Sequence, residues 1–121
     1  MELKITIREA STKDVALLVQ NNLALAKETE SINLDKELLA KGVEQALIRA
    51  ECHYFVGEIA GKVVGQTMIT YEWSDWRNGI IWWIQSVYVL PRYRKQGVFR
   101  SLFSHIENLA KSNPQVKALR L

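Results

Sequence analysis

Ile84-Gln85-Ser86-Val87-Tyr88-Val89-Leu90-Pro91-Arg92-Tyr93-Arg94-Lys95-Gln96-Gly97-Val98-Phe99-Arg100 runs from an apolar strand into a basic loop begun by proline, and a glycine then opens an amphipathic helix. A strand, a bend lined with backbone N–H groups and a helix N-terminus form an anion site, because unpaired amides and the positive end of the helix dipole face one point. Arginine and lysine around the bend add full positive charges. The ligand this stretch predicts carries phosphates.

Upstream, residues 80–90 are almost all apolar, as expected of a strand covered on both faces. Downstream, the spacing predicts a helix after Gly97 that buries Val98, Leu102, Ile106 and Leu109, with Phe99 and Phe103 beside them. Asn113-Pro114 ends it, and residues 116–121 begin an alternating strand. A strand, a helix and a strand in that order form a crossover that pairs the two strands in parallel.

Further out, residues 53–59 and 62–71 are strand-like runs joined across Ala60-Gly61, a hairpin. A loop around residues 74–79 follows, and Trp73 and Trp76 are read as loop residues. Leu3, Ile5 and Ile7 alternate with polar residues as a first strand with one buried face. Ser11 and Asp14 read as a shortened capping box for a helix carrying Val15, Leu18, Val19, Leu23 and Leu25. Residues 28–31 break that pattern, and Asp35 starts a second helix whose inner side holds Leu38, Leu39, Val43, Ala46, Leu47 and Ile48. Gly42 within it costs about 1 kcal/mol against alanine. The fold class is α/β (α+β): a mixed sheet flanked by helices, read as one domain over residues 1–121.

The 121 residues are 48% hydrophobic and 24% charged, the composition of an ordinary globular chain. A net charge of +3 and a pI near 9.1 suit an anionic ligand. They do not by themselves imply nucleic acid. Cys52 is the single cysteine, so no intrachain disulfide forms and a reducing compartment fits. The N-terminus has no long apolar run, so neither a signal peptide nor a membrane span is expected, and a cytoplasmic location follows.

No Gly-Lys-Ser/Thr follows the glycine, which excludes a nucleotide P-loop, and one glycine cannot supply a dinucleotide fingerprint. What the stretch resembles is the acyl-CoA signature of the GNAT superfamily of N-acetyltransferases. That signature is a strand ending in valine, a proline, and Arg/Gln-x-x-Gly-x-Gly/Ala opening a helix. It is matched by Val87-Tyr88-Val89, Pro91 and Arg94-Lys95-Gln96-Gly97-Val98-Phe99. The order of elements from residue 3 to residue 121 also resembles the first two-thirds or more of that family's domain. The resemblance implies a largely antiparallel mixed sheet with one parallel strand pair around the cofactor helix.

It also implies acetyl-CoA as cosubstrate and direct transfer of its acetyl group to a primary amine, on a small molecule or a peptide, through a tetrahedral intermediate. The amides from Lys95 to Arg100, with Gln96, Gly97, Val98 and Phe99 between them, would cradle the pyrophosphate. The backbone of Val87, Tyr88 and Val89 would bind the pantetheine arm as an added strand. Arg94 belongs to the same loop. Phe99 departs from the pattern, standing where the family carries a second small residue: turned into the core it leaves its amide available, and pointed at the ligand it obstructs.

Amine acetylation needs a neutral amine, a proton acceptor or water path, an oxyanion donor and protonation of the leaving thiolate. The resemblance places the oxyanion donor at a strand amide near Val87. It places a carboxylate at or next to Gln85-Ser86 in many relatives. Gln85 is the catalytic candidate here: it can orient a water or substrate but accepts no proton, and a buried, satisfied strand residue is its alternative. Glu28 and Glu30, in the connection between the first two helices, are candidates for attracting a cationic acceptor, or else lie on a solvated turn. Trp73 and Trp76 could wall an acceptor pocket, and Tyr71 closes the preceding strand; Trp82 and Trp83 read as core. His53, His105 and Cys52 have no metal-ligand spacing, so no metal is expected, and Cys52 reads as a structural thiol.

The family's domain continues past the strand at residues 116–121, so the expectation is a domain incomplete at its C-terminus. An uncovered last strand favours a second molecule, which makes a homodimer an expectation too. Two rival readings stand beside the enzyme. One is a non-catalytic acyl-CoA-binding module of the same fold. The other is nucleic-acid binding through Arg92, Arg94, Lys95 and Arg100, which predicts a steep salt dependence of affinity.

Overall fold

The computed structural model describes residues 4–121. Their elements are β1 (Ile5–Glu9), α1 (Val15–Glu30), α2 (Lys36–Ala46), β2 (Cys52–Ile59), β3 (Lys62–Ser74), β4 (Gly79–Val89), α3 (Val98–Lys111) and β5 (Val116–Arg120). Leu3, expected to open the first strand, lies outside the described residues. The five strands form one sheet in the order β1-β2-β3-β4-β5. The first three pairings are antiparallel, and β4 pairs with β5 in parallel, as the crossover at α3 requires. No described helix is long and apolar enough to cross a membrane.

Alternation puts two cores on the two sides of the sheet. Leu18 and Val19 of α1, with Val43 and Ala46 of α2, pack on Tyr54, Val56 and Val63. On the other side Leu102, Ile106 and Ala110 of α3 pack on Phe55, Val64, Ile69, Trp82 and Ile84. Ala110, not Leu109, completes the buried stripe of α3, and Leu109 is 38% exposed. Of the residues expected on the inner side of the second helix, Leu38 is exposed within α2 and Ile48 is exposed beyond its end. The β2–β3 hairpin turns through Ala60 and Gly61 at φ 52° and 78°, the left-handed pair of a type I′ turn.

Two local features position the site. The first is a bulge in β4. Gln66 of β3 pairs with Tyr88 while Met68 pairs with Gln85, so Ser86-Val87 face the single residue Thr67, and Ser86 takes φ 51°. The extra residue reverses the alternation: Trp82 and Ile84 face α3 before it, and Val87 and Val89 pack on that same core after it. Tyr88 is thereby delivered to the α1 side. Thr67 Oγ1 donates to the Gln85 carbonyl at 2.9 Å and Gln66 Nε2 to the Ser86 carbonyl at 3.0 Å, holding the bulge.

The second is a glycine floor. Gly57 and Gly65 pair across β2 and β3 beneath Val98, the first residue of α3. A Cβ on Gly65 would stand 2.6 Å from Val98 Cγ1, and one on Gly57 3.6 Å from it. Hydrogen in place of a side chain is what lets the start of α3 seat on the sheet.

The entry to α1 is held by charge. Arg8 of β1 donates to both oxygens of Asp14, at 2.8 and 3.0 Å, and Asp14 also accepts from the Ser11 amide at 2.8 Å, the cap expected there. Arg8 reaches Glu58 at 3.4 Å as well. The Arg8 guanidinium, with the Ser11 amide, holds the Asp14 carboxyl below the usual range. A carboxyl depressed in the folded state binds fewer protons there than when unfolded, so stability rises with pH through its titration. Asp14→Asn should therefore cost about 2–3 kcal/mol at neutral pH, less than the roughly 3–5 kcal/mol for a fully buried pair because the Arg8 side chain is 27% exposed. The parent chain should lose that margin as pH falls below about 4, and the variant should not. Urea unfolding at neutral and acid pH measures both, and equal acid sensitivity of the two proteins would count against the assignment.

Candidate functional site

A cleft of about 900 Å³ opens between the last turns of α1, the end of β4 and the start of α3. Leu25, Glu28 and Thr29 form its α1 wall. Residues 87–89 form the strand wall, and residues 93–100 close it from the loop side. All ten residues that the sequence assigns to an acyl-CoA site border this one cleft: Val87, Tyr88, Val89 and Arg94 through Arg100.

The loop begins as a single 3-10 turn at Pro91–Tyr93, where proline's fixed φ suits the first position. Lys95 (φ 63°) and Gly97 (φ 89°) are both left-handed, which bends the chain so that successive amides converge as in an anion nest. Among the described residues, the amides from Lys95 to Arg100 donate to no other protein group, and the first bond of α3 runs from the Ser101 amide to the Gly97 carbonyl at 3.0 Å. A Cβ on Gly97 would have no atom within 4 Å, so the space above this backbone is open to a ligand. The Gln96 side chain ties the loop to itself by donating to the Arg92 carbonyl at 3.0 Å. Arg92, Arg94, Lys95 and Arg100 are exposed.

Across the cleft, Glu28 is a hub. The Tyr88 hydroxyl donates to Glu28 Oε2 at 2.5 Å, and Arg94 Nη2 donates to Glu28 Oε1 at 2.8 Å. The Arg94 guanidinium lies 5.2 Å from the centre of the Tyr88 ring and donates from Nε to the Val89 carbonyl at 2.9 Å. The Tyr88 hydroxyl first, then Arg94, hold the Glu28 carboxyl below its ordinary range. Burial, then the Glu28 charge, push the Tyr88 phenol up. At neutral pH the pair is therefore a carboxylate and a protonated phenol.

Phe99 is half-buried, with its ring 6.2 Å from that of Phe103, and it lines the cleft. Its amide is one of the free ones at the helix start. Gln85 sits one residue before the bulge with its side chain exposed and its Nε2 donating to Thr70 Oγ1. It lies outside the lining of the cleft. Glu28 and Glu30 are not in an interhelical connection: α1 runs on through Glu30 and ends at Ser31, which caps it at φ 55°. The difference has a physical cause, since the last turn of α1 is exposed on all sides and so leaves no apolar spacing to read. Glu30 lies on that turn, apart from the cleft lining. Trp73 lies in β3 opposite Ile80 rather than in a loop, 63% exposed, while Trp76 in the turn is 92% exposed. Tyr71 falls within β3 and stacks on Trp82, and Trp83 Nε1 donates to Glu72 at 2.7 Å. Burial pushes the Cys52 thiol up, away from a reactive thiolate. No described group of His, Cys, Asp and Glu could hold a metal.

Sequence reasoning missed the glycine floor and the Glu28–Tyr88–Arg94 contact, because each joins elements far apart in the chain. The bulge left one trace, the polar pair Gln85-Ser86 inside an otherwise apolar strand.

The model of the Acetyltransferase (GNAT) family matches residues 20–121. A possible acetyltransferase from Clostridium difficile 630 has a solved structure that is 46% identical, with a TM-score of 0.91 over 99% of this chain and 79% of that one. A predicted acetyltransferase from Clostridium acetobutylicum, solved with acetyl-CoA, is 20% identical with a TM-score of 0.78, covering 98% of this chain and 80% of that one. The ribosomal-protein-alanine N-acetyltransferase from Brucella melitensis biovar Abortus 2308 shares the fold at 13% identity, with a TM-score of 0.78 over 98% and 79% of the two chains. No match is found among the curated proteins.

Proposed function

Since the chain belongs to the Acetyltransferase (GNAT) family, we propose that it binds acetyl-CoA in the cleft at the start of α3 and transfers the acetyl group to a primary amine. The observation that carries this reading is the run of free amides from Lys95 to Arg100 around left-handed Gly97, beside a cleft large enough for a cofactor of this size. Partial positive charge from those amides and from the α3 dipole meets the pyrophosphate. Lys95 and Arg100 add screened charge from the rim.

The pantetheine arm lies along β4. Pairing with β5 covers only Ile80 to Trp83 among the described residues, so the strand edge at Val87 and Val89 has backbone groups to offer. Arg94 occupies the Val89 carbonyl in this structure, and the arm takes that carbonyl only when the guanidinium swings away. The amine nitrogen attacks the thioester carbonyl, the C–N bond forms, and the C–S bond breaks as the thiolate takes up a proton. The Val87 amide is the proposed donor to the oxyanion, and Gln85 is the candidate for orienting a water that carries the amine's proton away. Small-molecule and peptide amines are both admitted.

Calorimetry with CoA and acetyl-CoA tests the cofactor half, and thiol release from acetyl-CoA over a panel of amines tests the transfer. One observation favours a second reading, an acyl-CoA-binding module without turnover: among the described residues no carboxylate other than Glu28 lines the cleft, and Glu28 is tied to Tyr88 and Arg94. Tight CoA binding with no thiol release from any amine would select that reading.

Glu28 brings the negative charge to a wall that should receive phosphates. Glu28→Gln removes it and frees Arg94, so CoA should bind the variant a few-fold more tightly at low salt, with the gain fading as salt screens it. Calorimetry at two ionic strengths reads the effect, and weaker binding at both would oppose this placement of Glu28.

A further inference from the structure

Gln66 stands mid-strand in β3, within the run Val63-Val64-Gly65-Gln66-Thr67-Met68-Ile69, and it is wholly buried, at 0% exposure. Burying an amide is unfavourable unless its polar atoms are paired. Its Nε2 donates to the Ser86 carbonyl at 3.0 Å, and its Oε1 has no partner among the described residues. The amide sits this way round because an oxygen in the place of Nε2 would face the carbonyl oxygen. An apolar side chain of equal size would fill the same space without an orphaned acceptor. What Gln66 adds to the molecule is that one bond.

The bond falls on the bulge. The Ser86 C=O and the Val87 N–H belong to one peptide unit, which is planar and trans, so the two groups point in opposite directions. Gln66 draws the carbonyl toward its own side chain, and the Val87 N–H is thereby aimed away from it. A peptide unit can turn over by rotation of ψ at Ser86 and φ at Val87 alone, leaving the path of the strand nearly unchanged. The bulge interrupts the regular ladder that resists such a turn elsewhere in β4, and the Gln66 bond opposes it. A carbonyl that accepts a hydrogen bond also polarises its unit and makes the N–H of that unit a stronger donor.

We infer that Gln66 is a positioning residue for acetyl transfer, holding the Ser86–Val87 peptide unit so that the Val87 N–H meets the thioester oxygen. The inference rests on the proposed transfer and on Val87 as its donor. As the amine nitrogen adds to the thioester carbon, the carbonyl electron pair moves onto oxygen, where a fixed donor stabilises it most. The pair returns when the C–S bond breaks and the thiolate takes up a proton. Thr67 holds the preceding unit through the Gln85 carbonyl at 2.9 Å, and that unit carries the Ser86 N–H instead. The two side chains therefore act on different donors.

Acetyl-CoA with 13C at the thioester carbonyl is the probe, read by infrared difference spectra, with the Val87 amide followed in 15N-labelled protein. In the parent chain the bound carbonyl stretch should fall to lower frequency, and the Val87 amide proton should move downfield when acetyl-CoA replaces CoA. Gln66→Met, close in volume and without a donor, should lose most of both responses while CoA affinity stays within about twofold of the parent. Gln66→Glu at about pH 6, kept protonated by burial and so able to donate to Ser86, should retain them. Raising the pH until that carboxyl ionises should abolish them, so this variant carries the test alone if Gln66→Met does not fold. Thr67→Val, nearly isosteric, should lose much less. Full responses in Gln66→Met, or in ionised Gln66→Glu, would overturn the role of Gln66 and leave the oxyanion donor standing. Equal losses in Thr67→Val and Gln66→Met would reduce Gln66 to general support of the bulge and overturn it as well. A parent chain that binds acetyl-CoA with no acetyl-specific response at Val87 would remove the donor, and one that binds none would remove the cofactor reading. The inference falls with either, and the two failures are read apart.

Discussion

Gly97→Trp should bind CoA at least about a hundredfold more weakly than the parent chain, a loss of roughly 2.7 kcal/mol, while keeping its fold. The reasoning is geometric. A Cβ at residue 97 meets no protein atom within 4 Å, so an indole there projects into open space rather than into the core. That space lies over the amides from Lys95 to Arg100, where the pyrophosphate is to sit. The cost to folding is limited to the left-handed φ of 89°, about 1–2 kcal/mol for a residue with a side chain. Gly97→Ala carries the same backbone strain and little bulk, so it should keep most of the affinity. Calorimetry on the three proteins, with urea unfolding as control, reads both terms. Unchanged CoA binding in the tryptophan variant would sink the assignment of this loop.

Gly65→Val should lower both stability and cofactor affinity without touching the cleft. Its Cβ would stand 2.6 Å from Val98 Cγ1, and Val98 is itself 2% exposed and without room to move. Overpacking of this kind costs about 1–3 kcal/mol. Part of the strain is relieved by lifting the start of α3 off the sheet, which misplaces the amides that begin at Lys95. CoA affinity should fall about tenfold, since a donor set moved by a fraction of an ångström loses alignment at several hydrogen bonds together. Val98→Ala in the same chain removes the obstructing methyls and should restore affinity more than stability. A Gly65→Val protein as stable and as tight-binding as the parent would show that the glycine floor has no such role.

The proposed cofactor side of this protein is readable because it is local. The strand, the loop begun by Pro91, the single glycine and the helix stripe occupy consecutive residues, and backbone groups do the proposed binding. Consecutive backbone needs no knowledge of the rest of the fold. The residues read from that stretch do meet at one cleft, and the order of elements announced both the mixed sheet and the parallel β4–β5 pair. Exposed segments were harder to read. Residues 27–30 continue α1 with no apolar face to signal it, Trp73 extends β3 while largely exposed, and Leu109 has the right character but the wrong angle on α3.

What the chain determined by itself was its periodicity and the glycine bend between β4 and α3, because helix, strand and left-handed glycine are set by neighbours a few residues away. Only the tertiary structure decided which distant groups share a space. Glu28 faces the cofactor cleft because the Ser86 bulge turns Tyr88 toward α1, where its hydroxyl meets the carboxylate. Arg94 reaches the same carboxylate from a loop more than sixty residues on. Val98 can seat because two glycines on β2 and β3 come to lie beneath it, and four aromatic and acidic residues from four strands, Glu9, His53, Tyr71 and Trp82, meet the end of α3 for the same reason. Contacts across such separations depend on sheet register, and a single bulged residue is enough to exchange one face for the other.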